Sequence, residues 1–166
     1  MAEAGLLAPD DRVELIEGEI IDMAAIGSRH AACVNRLTEL LITRLAGRAT
    51  IGVQNPVRLS DLSEPQPDLA VLQHRPDFYA SGHPAPADVL LVVEVADTTL
   101  AWDRNVKAPL YGRAGVAEVW VVDLTAEGVD VLMGPHSEGY SDARRAGRGD
   151  VLEVAGATIS VDEILG

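Results

Sequence analysis

Cysteine is almost missing from this chain. Cys33 stands alone, so no internal disulfide and no cysteine-built zinc cage can form. What remains for it is the role of a small buried hydrophobe on a helix, in keeping with a reducing compartment. Basic residues are also scarce: 13 Lys and Arg face 26 Asp and Glu, for a formal charge of −13. That balance argues against a broad basic surface that grips nucleic acid by itself, so any polyanion has to be met locally. Local candidates are Arg144, Arg145 and Arg148 in a glycine-punctuated loop, and Arg29, Arg36, Arg44 and Arg48 along the first expected helix. Each group reads equally as a solvated face or as a phosphate contact. Long apolar runs are absent too, Val89 to Val93 being far shorter than a bilayer span. The opening Met-Ala-Glu-Ala-Gly has neither a basic region nor an apolar stretch of a secretion signal, and the expectation is a soluble, cytoplasmic protein with no membrane partner. No internal repeat is visible, and neither a GxGxxG nor a GxxxxGK[ST] phosphate loop.

What is there is a hydrophobic chain of 166 residues, 48% apolar. This fits one domain with a real core, expected over residues 13–166 behind an N-terminal arm of residues 1–12 that Pro9-Asp10-Asp11 interrupts. Val13 to Ile16 and Glu19 to Met23 flank Glu17-Gly18 and read as a β-hairpin, since glycine supplies the positive φ a two-residue turn needs. Glu14 lies on its first strand, either facing solvent or serving a metal site as outer ligand or base. Ser28 is placed to cap a helix running to Gly47, with Val34, Leu37, Leu41 and Leu45 on one face. At 100° per residue His30 shares that face, so its imidazole points inward, as a satisfied core histidine or as a functional one.

Thr50 to Gln54 and Val57 to Leu59 are short strand candidates, and residues 73–88 an irregular excursion anchored by Phe78 and Tyr79. The stretch from Gln66 to Tyr111 then organises the chain. Asp68 to Leu72 and Val89 to Val95 are too short and too apolar for ordinary helices and read as buried strands, the second covered on both faces. Each ends on one carboxylate, Asp68 and Glu94. An acid beside a buried strand is costly unless something pairs with it, so two of them suggest a shared divalent cation, with the Val95 carbonyl and waters completing an octahedron. Lys107 follows on a helix between residues 101 and 114, where Pro109 either delays the helix or kinks it. Val119 to Asp123 and Val129 to Met133 read as a hairpin, residues 134–149 as loop-rich, Val151 to Val154 and Ala157 to Ser160 as weak edge strands, and Val161 to Leu165 as a last turn.

Taken together, Val13 to Glu19, His30 opening a helix, Pro67-Asp68-Leu69-Ala70-Val71, Val93-Glu94-Val95, Lys107 with Tyr111, and Gly115 to Asp123 resemble the Uma family of "putative restriction endonucleases", a bacterial branch of the PD-(D/E)XK nuclease superfamily. The resemblance runs from about Val13 to Ile164 and lies in the order and spacing of the motifs. It implies an α/β (α+β) fold, a restriction-endonuclease-like mixed β-sheet flanked by helices with an N-terminal β-hairpin. It also implies Mg²⁺-dependent DNA cleavage, with Mn²⁺ as a possible substitute, and a homodimer. Asp68 is then the acid of the PD element and Glu94 that of the (D/E)XK element, both binding Mg²⁺. Ala96 stands where the superfamily usually has its lysine, which in this branch corresponds to Lys107 on the following helix, assisting the attacking water. His30 and Glu14 match positions that approach the metal. Two other readings stay open on the residues: an inactive nuclease-fold module holding a protein or nucleic-acid partner, which the −13 charge and Ala96 favour, and a hydrolase of smaller phosphate esters.

Overall fold

The computed structural model of the chain describes residues 7, 8 and 10–166. The expected N-terminal arm therefore lies mostly outside the described residues. At its end the Ala8 N–H donates to the Asp11 carboxylate at 2.7 Å, and the Asp11 N–H returns to the Ala8 carbonyl at 3.1 Å.

Strands β1 (Val13–Ile16) and β2 (Glu19–Asp22) form the expected antiparallel hairpin. Glu17 and Gly18 both carry positive φ, 50° and 86°. That is the geometry of the tight turn whose twist matches two paired strands. Helix α1 (Ser28–Leu45) buries Cys33, Val34, Leu37, Leu41 and Leu45 along one stripe, the 3.6-residue periodicity read from the sequence. Its cap is Gly27 without a side-chain hydrogen bond, and Ser28 is already the first helical residue rather than the cap.

The main sheet has six strands in the order β3-β4-β5-β6-β7-β8. They are β3 (Ala49–Val53), β4 (Leu69–Gln73), β5 (Val89–Ala96), β6 (Glu118–Asp123), β7 (Gly128–His136) and β8 (Gly139–Gly147). Only β5 and β6 run parallel; every other neighbouring pair is antiparallel. Parallel neighbours need a crossover, and here it consists of helix α2 (Leu100–Trp102), a wide π turn (Asp103–Lys107) and helix α3 (Ala108–Ala114). The π turn ends two residues before Pro109, whose missing N–H and bulky ring favour widening the preceding turn over a regular helix. Gly115 ends α3 with φ 91°.

Alternation along the strands divides the core into two layers. Leu69, Val71, Leu91, Val93, Val95, Trp120 and Val122 face α1. Ala70, Val92, Ala96, Val119 and Val121 meet Ala108, Tyr111 and Val116 on the other face. With period 2, Glu94 belongs to the second face, beneath the π turn and α3.

Several expectations are corrected. Val57 to Leu59 is no strand, because its N–H groups turn to Pro65, Pro84 and Ser63 carbonyls in a folded-back loop. Phe78 is 68% exposed, its ring meeting His74 edge-on within the excursion; Tyr79 is the firmer anchor, its hydroxyl donating to the Gln73 carbonyl at 2.7 Å. Residues 134–149 are not loop-rich but carry the end of β7 and all of β8. There Ser141 to Arg145 are all exposed, so no apolar alternation marks an edge strand held by its backbone ladder. Strands β9 (Val151–Val154) and β10 (Ala157–Ser160) are not edges of the main sheet but a separate antiparallel hairpin. It leads into helix α4 (Val161–Leu165), capped by Ser160 and Glu163. No helix among the described residues is long and apolar enough to cross a membrane.

Candidate active site

The register of β4 on β5 pairs Leu69 with Val93. Antiparallel pairing then sets Asp68, the residue before Leu69, across from Glu94, the residue after Val93. Helix α1 starts over the same corner of the sheet. His30 in its first turn places Nε2 2.9 Å from Asp68 Oδ2, and the backbone N–H of Val95 donates to the same oxygen at 2.8 Å. Gln54 closes the ring, its amide 3.4 Å from Asp68 Oδ1, from a backbone held at φ 52°. A carboxylate only accepts, so His30 Nε2 carries the proton. That hydrogen bond raises the imidazole above its ordinary pKa, against the effect of burial. His30 Nδ1 is buried and finds no hydrogen-bond partner among the described residues.

Beside this group lies a buried array of charge. Lys107 is the only lysine in the chain. Its Nζ sits 2.7 Å from Glu94 Oε1 and 2.8 Å from Glu14 Oε1. All three residues are 3–5% exposed. The π turn and Pro109 aim this side chain at the sheet instead of away from it. Burial disfavours the ammonium, but the carboxylates of Glu94 and Glu14 outweigh it and hold Lys107 above its usual range. Glu14 is fixed a second time by the Gln66 backbone N–H at 2.7 Å. It is therefore no solvent-facing strand residue. Glu94 also accepts the Tyr111 hydroxyl at 2.7 Å. Burial nonetheless pushes the Glu94 carboxyl up to about 8, against the pull of Lys107.

Sequence reasoning gave no role to Asp103, 4% exposed, or to Trp102 beside it. Asp103 stands four residues before Lys107, a spacing that puts both on one helical face, and that was its available signal. Burial pushes its carboxyl up to about 6, opposed by the Thr99 hydroxyl, which donates at 2.6 Å. Trp102 carries no sequence signal; only the crossover path shows where it stands.

Glu14, His30, Asp68, Glu94, Val95 and Lys107 all line one cavity of about 440 Å³. Its walls bring six carboxylates, of Glu14, Asp22, Asp68, Glu94, Asp97 and Asp103, against the three basic side chains of Arg12, His30 and Lys107. Hard oxygen donors in excess of positive charge suit a divalent cation; the carboxyls of Glu94 and Asp103 are raised chiefly by burial, with the neighbouring acids adding to it. Among the described residues no three acidic, histidine or cysteine side chains converge closely enough to enclose an ion by themselves. A cation held by Asp68 and Glu94 would thus complete its shell with backbone, water or substrate oxygens.

Of the seven arginines considered for phosphate contact, six are engaged within the fold, and Arg144 stands exposed on β8. Arg44 pairs with Glu163, Arg36 caps the Ile164 and Leu165 carbonyls, and Arg48 bonds the Ala155 carbonyl. Arg148 pairs with Glu127 and Asp162, and Arg145 with Asp123 and Asp130. Arg29 pairs with Asp97. Most of these contacts fasten the C-terminal hairpin and α4 to α1 or β7 to β8.

A mixed sheet between helices, with an acid ahead of one strand and a second on its neighbour, defines a restriction-endonuclease-like fold. The chain belongs to the Uma2 family, described as "Putative restriction endonuclease", whose model matches residues 3–161. Among solved structures it is similar to one from Anabaena variabilis described as "a putative nuclease belonging to DUF820". The TM-score is 0.76 at 15% identity, covering 98% of this chain and 94% of that one. At that identity the likeness establishes the fold. No curated protein matches the chain.

Proposed function

We propose that this chain is a divalent-metal-dependent endonuclease that hydrolyses phosphodiester bonds in DNA. The observation that carries the reading is the convergence of Asp68, Glu94 and Lys107 on one cavity floor, with Lys107 Nζ 2.7 Å from Glu94 although Ala96 replaces the usual lysine. Asp68 and Glu94, with the Val95 carbonyl, would hold Mg²⁺ or Mn²⁺. When bound, the cation supplies a positive centre against the phosphoryl oxygens and lowers the pKa of a bound water.

The chain's own groups do the rest. His30 and the Val95 N–H fix the Asp68 carboxylate through one oxygen, so its direction is set before substrate arrives. Tyr111 orients Glu94 in the same way. Lys107, pinned by Glu14 on its far side, presents an ammonium to the attacking oxygen or to the charge that develops on the phosphoryl group. Glu14 thereby positions the lysine and keeps it charged. The homodimer implied by the family resemblance belongs to the same proposal, and light scattering of the purified chain reads it.

The test is a supercoiled-plasmid assay with Mg²⁺, Mn²⁺ or EDTA. Nicking or linearisation with metal, lost in EDTA and in Asp68→Asn, is the expected result. A pure, folded protein that cleaves nothing with either metal overturns the reading and leaves a nuclease fold used for binding.

A further inference from the structure

The cavity has two chemically different parts. Its floor carries Glu14, Glu94 and Lys107, each 3–5% exposed. Its wall is apolar, formed by Ile21, Met23, Ala25, Ile26 and Trp102. Residues Met23 to Gly27, which connect β2 to α1, all line it, so the hairpin's exit segment overhangs the floor. A phosphodiester reaching those buried groups has to bring its neighbouring sugar and base into contact with the wall.

A base that is still paired and stacked cannot do this. Extruding one from a duplex costs unstacking and unpairing energy, a cost least for a nucleotide that is already unpaired. Duplex binding is sustained instead by rows of cations along both backbones. This surface lacks them: Arg12 is the only arginine lining the cavity, and Arg29, Arg58 and Arg113 are paired with Asp97, Asp61 and Glu17. With a formal charge of −13, base contact has to replace much of the missing phosphate attraction. An aromatic face serves every base, because each has a π surface to stack on.

We infer that the cavity takes an unpaired nucleotide, its base against Trp102 and the Met23–Ile26 wall and its phosphate on the acidic floor, so that the substrate is single-stranded DNA or a single-stranded flap. This rests on the nuclease reading for cleavage but not for binding. A volume of about 440 Å³ is within the range of pockets that enclose small organic ligands, roughly 300–1,000 Å³.

The experiment uses fluorescein-labelled oligonucleotides of one sequence as single strand, blunt duplex and duplex with a single-stranded flap. Binding is read by anisotropy in Ca²⁺, with EDTA as the metal-free control, and cleavage on gels in Mg²⁺ and Mn²⁺. Single strand and flap should bind, and be cleaved, at least about tenfold better than blunt duplex. Trp102→Ala should weaken single-strand binding by about tenfold and Trp102→Phe should recover most of it, with melting curves confirming that both variants fold. Binding of the single strand without cleavage under any metal would uphold the inference and sink the nuclease reading. Equal or better binding and cleavage of blunt duplex would overturn the inference and leave the nuclease reading standing. Single-strand affinity unchanged in a folded Trp102→Ala would overturn it as well, as would no binding of any oligonucleotide.

Discussion

Lys107 Nζ lies 2.7 Å from Glu94 Oε1, reached not from the next position along the strand but from the π turn of the crossover. A strand lysine at position 96 would have shared the Glu94 face, two residues away. Ala96 fills that place with a buried methyl instead, and the ammonium arrives from above. The same spatial charge is thus delivered by a different element.

Replacing Lys107 should separate chemistry from stability. Lys107→Met leaves Glu14 and Glu94 buried without their cation, and removing one partner of a buried pair costs about 3–5 kcal/mol. The combined Glu14→Gln, Lys107→Met variant should recover part of that loss in urea melts while remaining inactive. Full activity in folded Lys107→Met would show that the lysine takes no part in catalysis.

Metal should stabilise the protein without substrate. A cation binding only the folded chain adds RT ln(1 + [L]/Kd), about 2.7 kcal/mol at 100 times Kd. Melting temperature should therefore rise with Mg²⁺ or Mn²⁺, and the rise should vanish in Asp68→Asn and Glu94→Gln.

The pH dependence of the metal-free protein has a definite sign. Burial raises Glu94 from 4.5 to about 8 and Asp103 from 3.8 to about 6. Between the unfolded and folded values the native state holds more protons, so stability falls as pH rises. His30, raised by Asp68, acts in the same direction: its contribution is complete below its unfolded value of 6.5 and is lost as pH climbs through the folded one. The melting temperature in EDTA should increase from about pH 8 to about pH 5. Glu94→Gln should flatten most of that slope; an unchanged slope would show that Glu94 is ionised in the native protein across the range.

Gly112 fixes the approach of the crossover to the sheet. A Cβ built there would lie 2.4 Å from the Gly139 carbonyl oxygen, a backbone atom that cannot swing aside. Gly112→Ala should destabilise the protein by about 1–3 kcal/mol, the usual cost of overpacking. Because α3 carries Tyr111 and continues the turn that holds Lys107, cleavage should fall with it. Urea melts and the plasmid assay read the two effects separately.

Sequence alone determined the hairpin at Glu17-Gly18, the apolar stripe of α1, the buried runs of β4, β5 and β6, and the order of Asp68, Glu94 and Lys107. All of these are local: a turn needing positive φ, a 3.6-residue period, short aliphatic runs with an acid at one end. Strand β8 stayed hidden because Ser141 to Arg145 are exposed, and a strand held by its ladder alone leaves no apolar pattern. The β9–β10 hairpin was legible as strands but not as a sheet of its own, since what a strand pairs with is a long-range fact.

Tertiary structure decided what each acid and base meets. Glu14 and Lys107 are 93 residues apart in sequence, and His30 and Asp68 38 apart. No periodicity links such pairs; they meet because β1–β2, α1 and the crossover all converge on the corner where β4 begins and β5 ends. The same convergence buries Glu94 deeply enough to raise its carboxyl and puts Trp102 and Asp103 into the cavity. A residue type and its local spacing specify which charge is available, but the cost of burying it, and the partner that offsets that cost, exist only once distant segments have packed together.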